Sequence, residues 1–100
     1  MEKHVALIGG NTGIGKETIS RLLANQVQIH AACRQGDDLR ALGIPCQTFD
    51  ALEPTPLTWP EKLDGLVYFP GSITLKPFHR TTLADFIKDI HINLLGAVHV

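Results

Sequence analysis

Short apolar stretches and longer segments of helical periodicity alternate along this 100-residue chain. Val5–Ile8 is apolar without interruption, which is typical of a central strand covered on both faces of a parallel sheet. Further strands are predicted at Val27–Ala32, Cys46–Phe49 and Leu66–Phe69. Helical segments between most of these strands indicate parallel strands joined by crossovers.

Two segments place apolar residues at helical spacing. From Ile14 onward, one helical face consists of Ile14, Thr18, Ile19, Leu22 and Leu23, and the other of Lys16, Glu17, Ser20 and Arg21. A second helix is predicted over Leu83–Val98, where Thr82 and Asp85 form a near capping box. Its apolar stripe consists of Leu83, Phe86, Ile87, Ile90, Leu94, Ala97 and Val98. A short helix, Asp37–Leu42, is predicted to close at Gly43.

The order of these elements predicts an α/β fold. Right-handed crossovers give a doubly wound parallel sheet, here partial, with strand order 3-2-1-4, and residues 1–100 are expected to belong to one domain. Ala51–Pro60 stands where a helix would join the last two strands, and its prolines disfavour one. Trp59 is expected to pack this linker against the body. Leu66–Phe69 is then an apolar edge strand, which needs a cover.

The first strand is followed by a glycine-rich loop in the sequence VALIGGNTGIG, and three of its glycines, Gly9, Gly13 and Gly15, are the informative ones. Without side chains there, the backbone can approach a pyrophosphate, and the next helix presents free N–H groups and its positive dipole end. The segment therefore predicts a dinucleotide cradle in a Rossmann-type fold. A glycine turn with a purely structural role is the alternative.

Gly10–Lys16 also fits the start of a P-loop, GxxxxGK, in which backbone amides and a lysine hold a nucleoside triphosphate. That motif needs Ser or Thr next to ligate magnesium. Glu17 stands there instead and would place a carboxylate near the phosphates. A P-loop-like nucleotide-binding hydrolase is thus the alternative function, and magnesium-dependent triphosphate binding would distinguish it.

The loop resembles the TGxxxGxG motif of the short-chain dehydrogenase/reductase family, with Ile8 in the threonine position. Further partial matches follow in the family's order along the whole chain. The chain is therefore identified with the N-terminal, cofactor-binding part of that family. For this loop, the resemblance implies cofactor contacts from Gly9, Asn11, Thr12, Gly13, Ile14 and Gly15.

The second strand ends at Cys33 and Arg34, close to the place where dinucleotide-binding folds carry an acid about 20 residues after the loop. A carboxylate there binds the 2′-hydroxyl of NAD, whereas an arginine suits the 2′-phosphate of NADP. NADP(H) is therefore predicted over NAD(H). A solvated surface arginine is the alternative.

Two later segments resemble further parts of the family's cofactor site. Asp50 resembles the aspartate that holds the adenine amino group, with Ala51 beside it, while an exposed turn aspartate is the alternative. Pro70 and Gly71 stand where the family has Asn-Asn-Ala-Gly beneath the cofactor, although only Gly71 matches. The residues before it cannot reproduce the hydrogen bonds that the two asparagines make between neighbouring strands.

Asn93 lies within the apolar stripe of the last helix. It resembles the asparagine of the family's Asn-Leu-x-Gly segment, which bends the helix and holds a water in the proton relay. The resemblance thus assigns one catalytic residue, Asn93, to this chain. An amide satisfied by nearby backbone is the alternative.

The family's catalytic Tyr-x-x-x-Lys pair is absent from the chain, because Tyr68 is the single tyrosine and Ser72 follows it where lysine would stand. The resemblance implies a much longer NADP(H)-dependent oxidoreductase that reduces a ketone or a 3-oxoacyl-like carbonyl to an alcohol. In it, the tyrosine would protonate the carbonyl oxygen while nicotinamide delivers hydride. These 100 residues alone are not expected to be active. A non-catalytic dinucleotide-sensing protein of the same fold is a further alternative.

Composition narrows the class of protein. The chain is 44% hydrophobic and 19% charged with a net charge of −1, which is typical of one globular unit and gives no sign of nucleic acid as a partner. The apolar run after Met1 is too short for a signal peptide or a membrane span, so a cytoplasmic protein is expected.

Cys33 and Cys46 are expected to be reduced thiols. The histidines lack metal-ligand spacing, so no metal is expected.

The apolar stripe on Leu83–Val98 is broader than burial on one side requires. The family commonly pairs this helix across a two-fold axis, so the resemblance implies a homodimer or a homotetramer. The other partners that it implies are the dinucleotide and a small carbonyl or alcohol substrate.

Overall fold

A computed structural model describes residues 2–100. Its four strands form one parallel sheet in the order β3-β2-β1-β4. β1 is His4–Ile8, β2 is Gln28–Cys33, β3 is Cys46–Thr48 and β4 is Gly65–Tyr68. The predicted α/β fold and strand order are confirmed, with strand ends displaced by only a residue or so.

Helices connect the first three strands and follow the last one, while β3 and β4 are joined without a helix. α1, Gly13–Ala24, joins β1 to β2, and α2, Asp37–Ala41, joins β2 to β3. After β4 come a 3-10 turn and then α3, Leu83–Ile90, which continues through a π-helical turn at His91–Leu95 into α4, Gly96–His99. The last three elements together cover the predicted helix. The π turn contains Asn93, the residue for which a local distortion was predicted.

The core lies on both faces of the sheet around β1, whose Ala6, Leu7 and Ile8 are fully buried. One apolar cluster consists of Leu7, Ile19, Ile29, Ala31, Cys33, Leu39 and Ile44. The other consists of Ile8, Ala32, Phe49 and Ala51. Trp59 packs against the second cluster, which confirms its predicted role in fixing the linker. Burial on both faces explains why β1 carries no polar alternation.

The apolar face of α1 is buried only in part. Ile19 is buried, but Ile14 is 81% exposed and Leu23 is 43% exposed. Gly15 faces the loop instead, and a Cβ on it would lie 2.5 Å from the Cα of Gly10. This close approach sets the rotation of the first turn and directs Ile14 outward.

The apolar face of α3 is open. None of its residues is buried, and Leu83 is 74% exposed. At the sheet edge, Leu66 and Val67 of β4 are also exposed. The predicted apolar edge is therefore present, and Leu66 and Val67 stay exposed within residues 2–100.

Thr82 and Asp85 form the predicted capping box at the start of α3. Thr82 Oγ1 accepts a hydrogen bond from Asp85 N at 3.1 Å, and Asp85 Oδ2 accepts one from Thr82 N at 3.0 Å. The bond from Thr82 N, together with the Lys76 ammonium, holds the pKa of Asp85 below its usual range. Asp85 therefore remains a charged acceptor down to lower pH than a free aspartate.

Gly96→Ala is expected to destabilise the fold. Gly96 is buried, and a Cβ there would overlap the Tyr68 hydroxyl and lie 2.9 Å from the Ala51 Cβ. Overpacking costs about 1–3 kcal/mol, which exceeds the roughly 1 kcal/mol that alanine gains over glycine in a helix. Urea denaturation would measure the loss. Gly65→Ala is the control because its Cβ meets only Val5, at 3.7 Å, and equal stability of both variants would contradict the packing argument.

Among residues 2–100, each helix is too short or too polar to cross a lipid bilayer. The same residues hold no group of three or more His, Cys, Asp or Glu side chains that could bind a metal ion.

Candidate functional site

A cleft of about 680 Å³ lies at the carboxyl ends of the strands. Open α/β sheets bind ligands at this edge, where loops from neighbouring strands converge. Eight residues predicted to bind a cofactor line it: Gly9, Asn11, Thr12, Arg34, Asp50, Ala51, Pro70 and Gly71. The three others, Gly13, Ile14 and Gly15, form the first turn of the adjoining α1 and are not among the lining residues. Four separate loops are thus brought to one cavity.

The glycine loop is shaped by two different constraints. Gly15 is required by a close approach, since a Cβ would strike the backbone of Gly10. Gly13 is required by conformation, because its φ is +54° while the space around its missing side chain is open. Gly15 therefore holds the loop together, whereas Gly13 leaves room beside the start of α1.

The first turn of α1 keeps its N–H groups available. Thr12 takes the N-cap position in an extended conformation, but its side chain makes no capping hydrogen bond. Asn11 Nδ2 donates to Gln35 O at 2.8 Å, which ties this loop to the one after β2. The uncapped turn is a favourable place for an anion.

Arg34 lies at the mouth of the cleft, directly after β2. It is exposed, and among residues 2–100 it forms no ion pair, unlike Arg21 and Arg40, which pair with acids on their own helices. Its neighbour in the cleft is Gln35 rather than an acid. The guanidinium is therefore free to bind an anion that enters the cleft.

Asp50 fits both interpretations that its sequence position allowed. Its Oδ1 accepts a hydrogen bond from Leu52 N at 2.9 Å, which makes it a turn aspartate. It also lines the cleft, with the buried Ala51 beside it. The turn therefore fixes the carboxylate at the cavity wall.

The end of β4 is held to its neighbours by ring contacts and by a hydrogen bond of Tyr68. A Cβ on Gly9 would lie 3.0 Å from the Pro70 ring, and one on Gly10 would lie 3.3 Å from the Phe69 ring. The Tyr68 hydroxyl donates to Ile92 O at 2.6 Å, and burial raises the pKa of this phenol. These contacts join β4 to the glycine loop and to the π turn without any asparagine in β4.

Asn93 is tied to the cleft wall by its amide. Its Oδ1 accepts from Ser72 N at 2.9 Å, and its Nδ2 donates to Ser72 O at 2.9 Å. The interpretation of an amide satisfied by backbone therefore describes this contact. The pairing fixes Ser72, the residue after Gly71, against the π turn.

Asp89, one turn before Asn93, completes the attachment. Its carboxylate accepts from Ser72 Oγ at 2.6 Å and from Thr74 Oγ1 at 2.7 Å. These two hydrogen bonds, Ser72 first, lower the pKa of Asp89. Sequence reasoning missed this network because its members are separated along the chain by 15 to 21 residues.

Seven lining residues were not predicted: Cys33, Gln35, Phe49, Leu52, Ser72, Lys88 and Ile92. Lys88 and Ile92 come from the helix opposite the strand ends, so only the tertiary fold places them there. Lys88 adds a second cation to the cleft. Gln35, Phe49 and Leu52 directly adjoin predicted residues, and strand-end position was a signal that could have found them.

No family model matches the chain. Among curated proteins, it is 29% identical over 87 residues to a 3-ketodihydrosphingosine reductase of Dictyostelium discoideum. The match covers 86% of this chain but 26% of the relative, so the chain spans about a quarter of that protein.

Two solved structures share the fold. Serine dehydrogenase from Escherichia coli aligns over 96% of this chain and 51% of its own, with a TM-score of 0.76 and 20% identity. ElxO with NADP bound aligns over 99% of this chain and 47% of its own, with a TM-score of 0.77 and 22% identity. The chain thus corresponds to about half of each structure.

Proposed function

We propose that this chain, which resembles the short-chain dehydrogenase/reductase family, is the NADP(H)-binding part of a carbonyl reductase, and its similarity to a 3-ketodihydrosphingosine reductase supports this. Residues 1–100 would form the N-terminal part of its single Rossmann-type domain. The observation that carries the proposal is the cleft itself, which brings the glycine loop, an unpaired arginine and a fixed aspartate to one sheet edge. NADP bound to one neighbour of the same fold supports this choice of cofactor.

The residues of the cleft fit such a cofactor by their chemistry. The open space at Gly13 and the uncapped first turn of α1 suit the pyrophosphate. Arg34 suits the 2′-phosphate, and Asp50 with Ala51 suits the adenine. Pro70 and Gly71, held by the helix behind them, would support the remaining part of the dinucleotide.

The proposed reaction is reduction of a ketone or a 3-oxoacyl-like carbonyl to an alcohol. Bound NADPH would supply the hydride. Asn93 is the catalytic residue that we propose for this part of the enzyme, as a member of its proton relay. Its place in a π turn beside the cleft wall supports that role, because π turns are frequent at functional sites.

Calorimetric titration of the full-length protein with NADPH, NADH and magnesium ATP tests the cofactor assignment. NADPH is expected to bind more tightly than NADH, and magnesium ATP is expected not to bind. Magnesium-dependent triphosphate binding would favour the hydrolase alternative instead. A panel of ketones and 3-oxoacyl thioesters, followed by NADPH consumption, tests the reaction, and tight binding without turnover would favour a dinucleotide-sensing protein.

We further propose a cytoplasmic homodimer or homotetramer that buries the open face of α3. Leu83, Phe86, Ile87 and Ile90 are between 43% and 74% exposed, and together they make a contiguous apolar surface. Multi-angle light scattering of the full-length protein at micromolar concentration is expected to give a mass of two or four chains. Ile87→Lys should lower that mass, and a monomeric parent protein would contradict the proposal.

A further inference from the structure

The two cysteines of the chain meet between neighbouring strands. Cys33 ends β2 and Cys46 begins β3, and their Sγ atoms lie 3.2 Å apart as free thiols. The sheet register causes this meeting, because Ala31 pairs with Cys46 and Cys33 pairs with Thr48. The thiols therefore lie diagonally across one strand pair, with their sulfurs turned toward each other.

Closing this pair into a disulfide requires a small displacement. A disulfide has an S–S distance of about 2.05 Å, so the sulfurs must approach by roughly 1 Å. β3 can supply that movement because it is a three-residue edge strand, which among residues 2–100 pairs with β2 alone. A disulfide that needs such a displacement is strained, and strained disulfides are the labile ones that respond to redox conditions.

The dithiol also adjoins the cofactor cleft. Cys33 lines it and directly precedes Arg34. The backbone of Gly36 packs against both sulfurs, closely enough that a Cβ there would overlap the Cys46 Sγ. The turn that carries Arg34 therefore packs on the dithiol, and we expect closure of the disulfide to shift it.

We propose that Cys33 and Cys46 form a redox modification site, a dithiol that closes reversibly into an intrachain disulfide and thereby weakens binding of the 2′-phosphate by Arg34. Formation of the disulfide concerns the thiols alone. The effect on Arg34 rests on the proposed function, since it needs NADP(H) in the cleft.

The oxidant is a low-molecular-weight disulfide such as oxidised glutathione. The Cys46 thiolate, the more accessible of the two, attacks one glutathione sulfur and releases one reduced glutathione. The Cys33 thiolate then attacks the Cys46 sulfur and releases the second. Two thiol protons leave with the two glutathiones, and the protein loses two electrons. Burial, followed by the hydrogen bond with Cys46, raises the pKa of Cys33 to about 12, so this residue acts second.

The modification is tested by equilibrating the full-length protein in glutathione buffers of graded potential and mapping the peptides by mass. The expected product is one intrachain link between positions 33 and 46, with phenylarsine oxide blocking it by bridging both thiols of the reduced protein. Cys33→Ala should instead leave a glutathione adduct on Cys46, and Cys46→Ser should leave position 33 unmodified. A persistent adduct on the parent protein, a link between two chains or no reaction would each overturn the site.

The effect on the cleft is measured by titrating reduced and oxidised protein with NADPH and NADH. Oxidation is expected to weaken NADPH by roughly tenfold, the lower end of the range for a charge-assisted hydrogen bond, and to leave NADH nearly unchanged. Equal NADPH affinity in both states would overturn the coupling. If the reduced protein binds neither dinucleotide, the proposed function fails and the coupling fails with it, while the peptide map still decides the disulfide.

Discussion

Gly13→Val should abolish dinucleotide binding while the protein stays folded. A β-branched residue at φ +54° costs roughly 1–3 kcal/mol of strain, so the first turn of α1 is expected to move and to withdraw its N–H groups from the phosphates. The new methyl groups also enter the open space beside that turn. Loss of even two charge-assisted hydrogen bonds lowers the affinity by at least roughly a hundredfold. Calorimetric titration with NADPH measures the loss of affinity.

Gly43→Val is the matched control for this change. Gly43 also has a positive φ, +79°, and open space around its missing side chain, but it precedes β3 and so lies at the opposite edge of the sheet. Both variants should lose similar unfolding free energy in urea, and only the variant at Gly13 should lose NADPH. Unchanged NADPH affinity of a folded Gly13→Val protein would refute the cradle.

Arg34→Ala should weaken NADPH by roughly ten- to a hundredfold, the range expected for one charge-assisted hydrogen bond to the 2′-phosphate. NADH should bind almost as before, because it offers no phosphate at that place. Stability should change little, since Arg34 forms no ion pair among residues 2–100. Titration of the variant with both cofactors gives the comparison.

Arg21→Ala is the control for the loss of a positive charge. Arg21 is exposed on α1 and pairs with Glu17, on the face of the helix away from the core. Its removal lowers the net charge equally but should leave both affinities unchanged. If Arg34→Ala weakened NADPH and NADH to the same extent, Arg34 would be a structural residue. If it weakened neither, it would be a solvated surface arginine.

The strands and helices could be predicted because their signals are local. Val5–Ile8 and the capping box of Thr82 with Asp85 depend on neighbours within a few positions, so spacing and residue type suffice. The strand order followed from the handedness of crossovers. The cleft could be located in the same way, because every loop that follows a parallel strand emerges at one edge of the sheet.

The errors came from contacts that spacing does not encode. Ile14 is exposed because Gly15 packs on a loop backbone, a requirement that hydrophobic periodicity cannot express. In the last helix, the extra residue of the π turn advances the helical phase by about 100°. A single 3.6-residue period therefore does not describe the faces on both sides of the π turn, and it gave no signal for Gly96, the buried residue that follows this turn.

Ser72 is held by Asp89 and Asn93, which lie one turn apart on the same continuous helix. Two attachment points restrict the rotation of Ser72 relative to the helix, so the helix and this part of the cleft wall form one unit. This unit carries the open apolar face of α3 on one side, and on the other side it reaches Gly71, the neighbour of Ser72 in the cleft wall. If a second copy packs on the open apolar face of α3, as we propose, this helix would carry the contact to the cleft wall, and assembly and ligand binding would then be coupled.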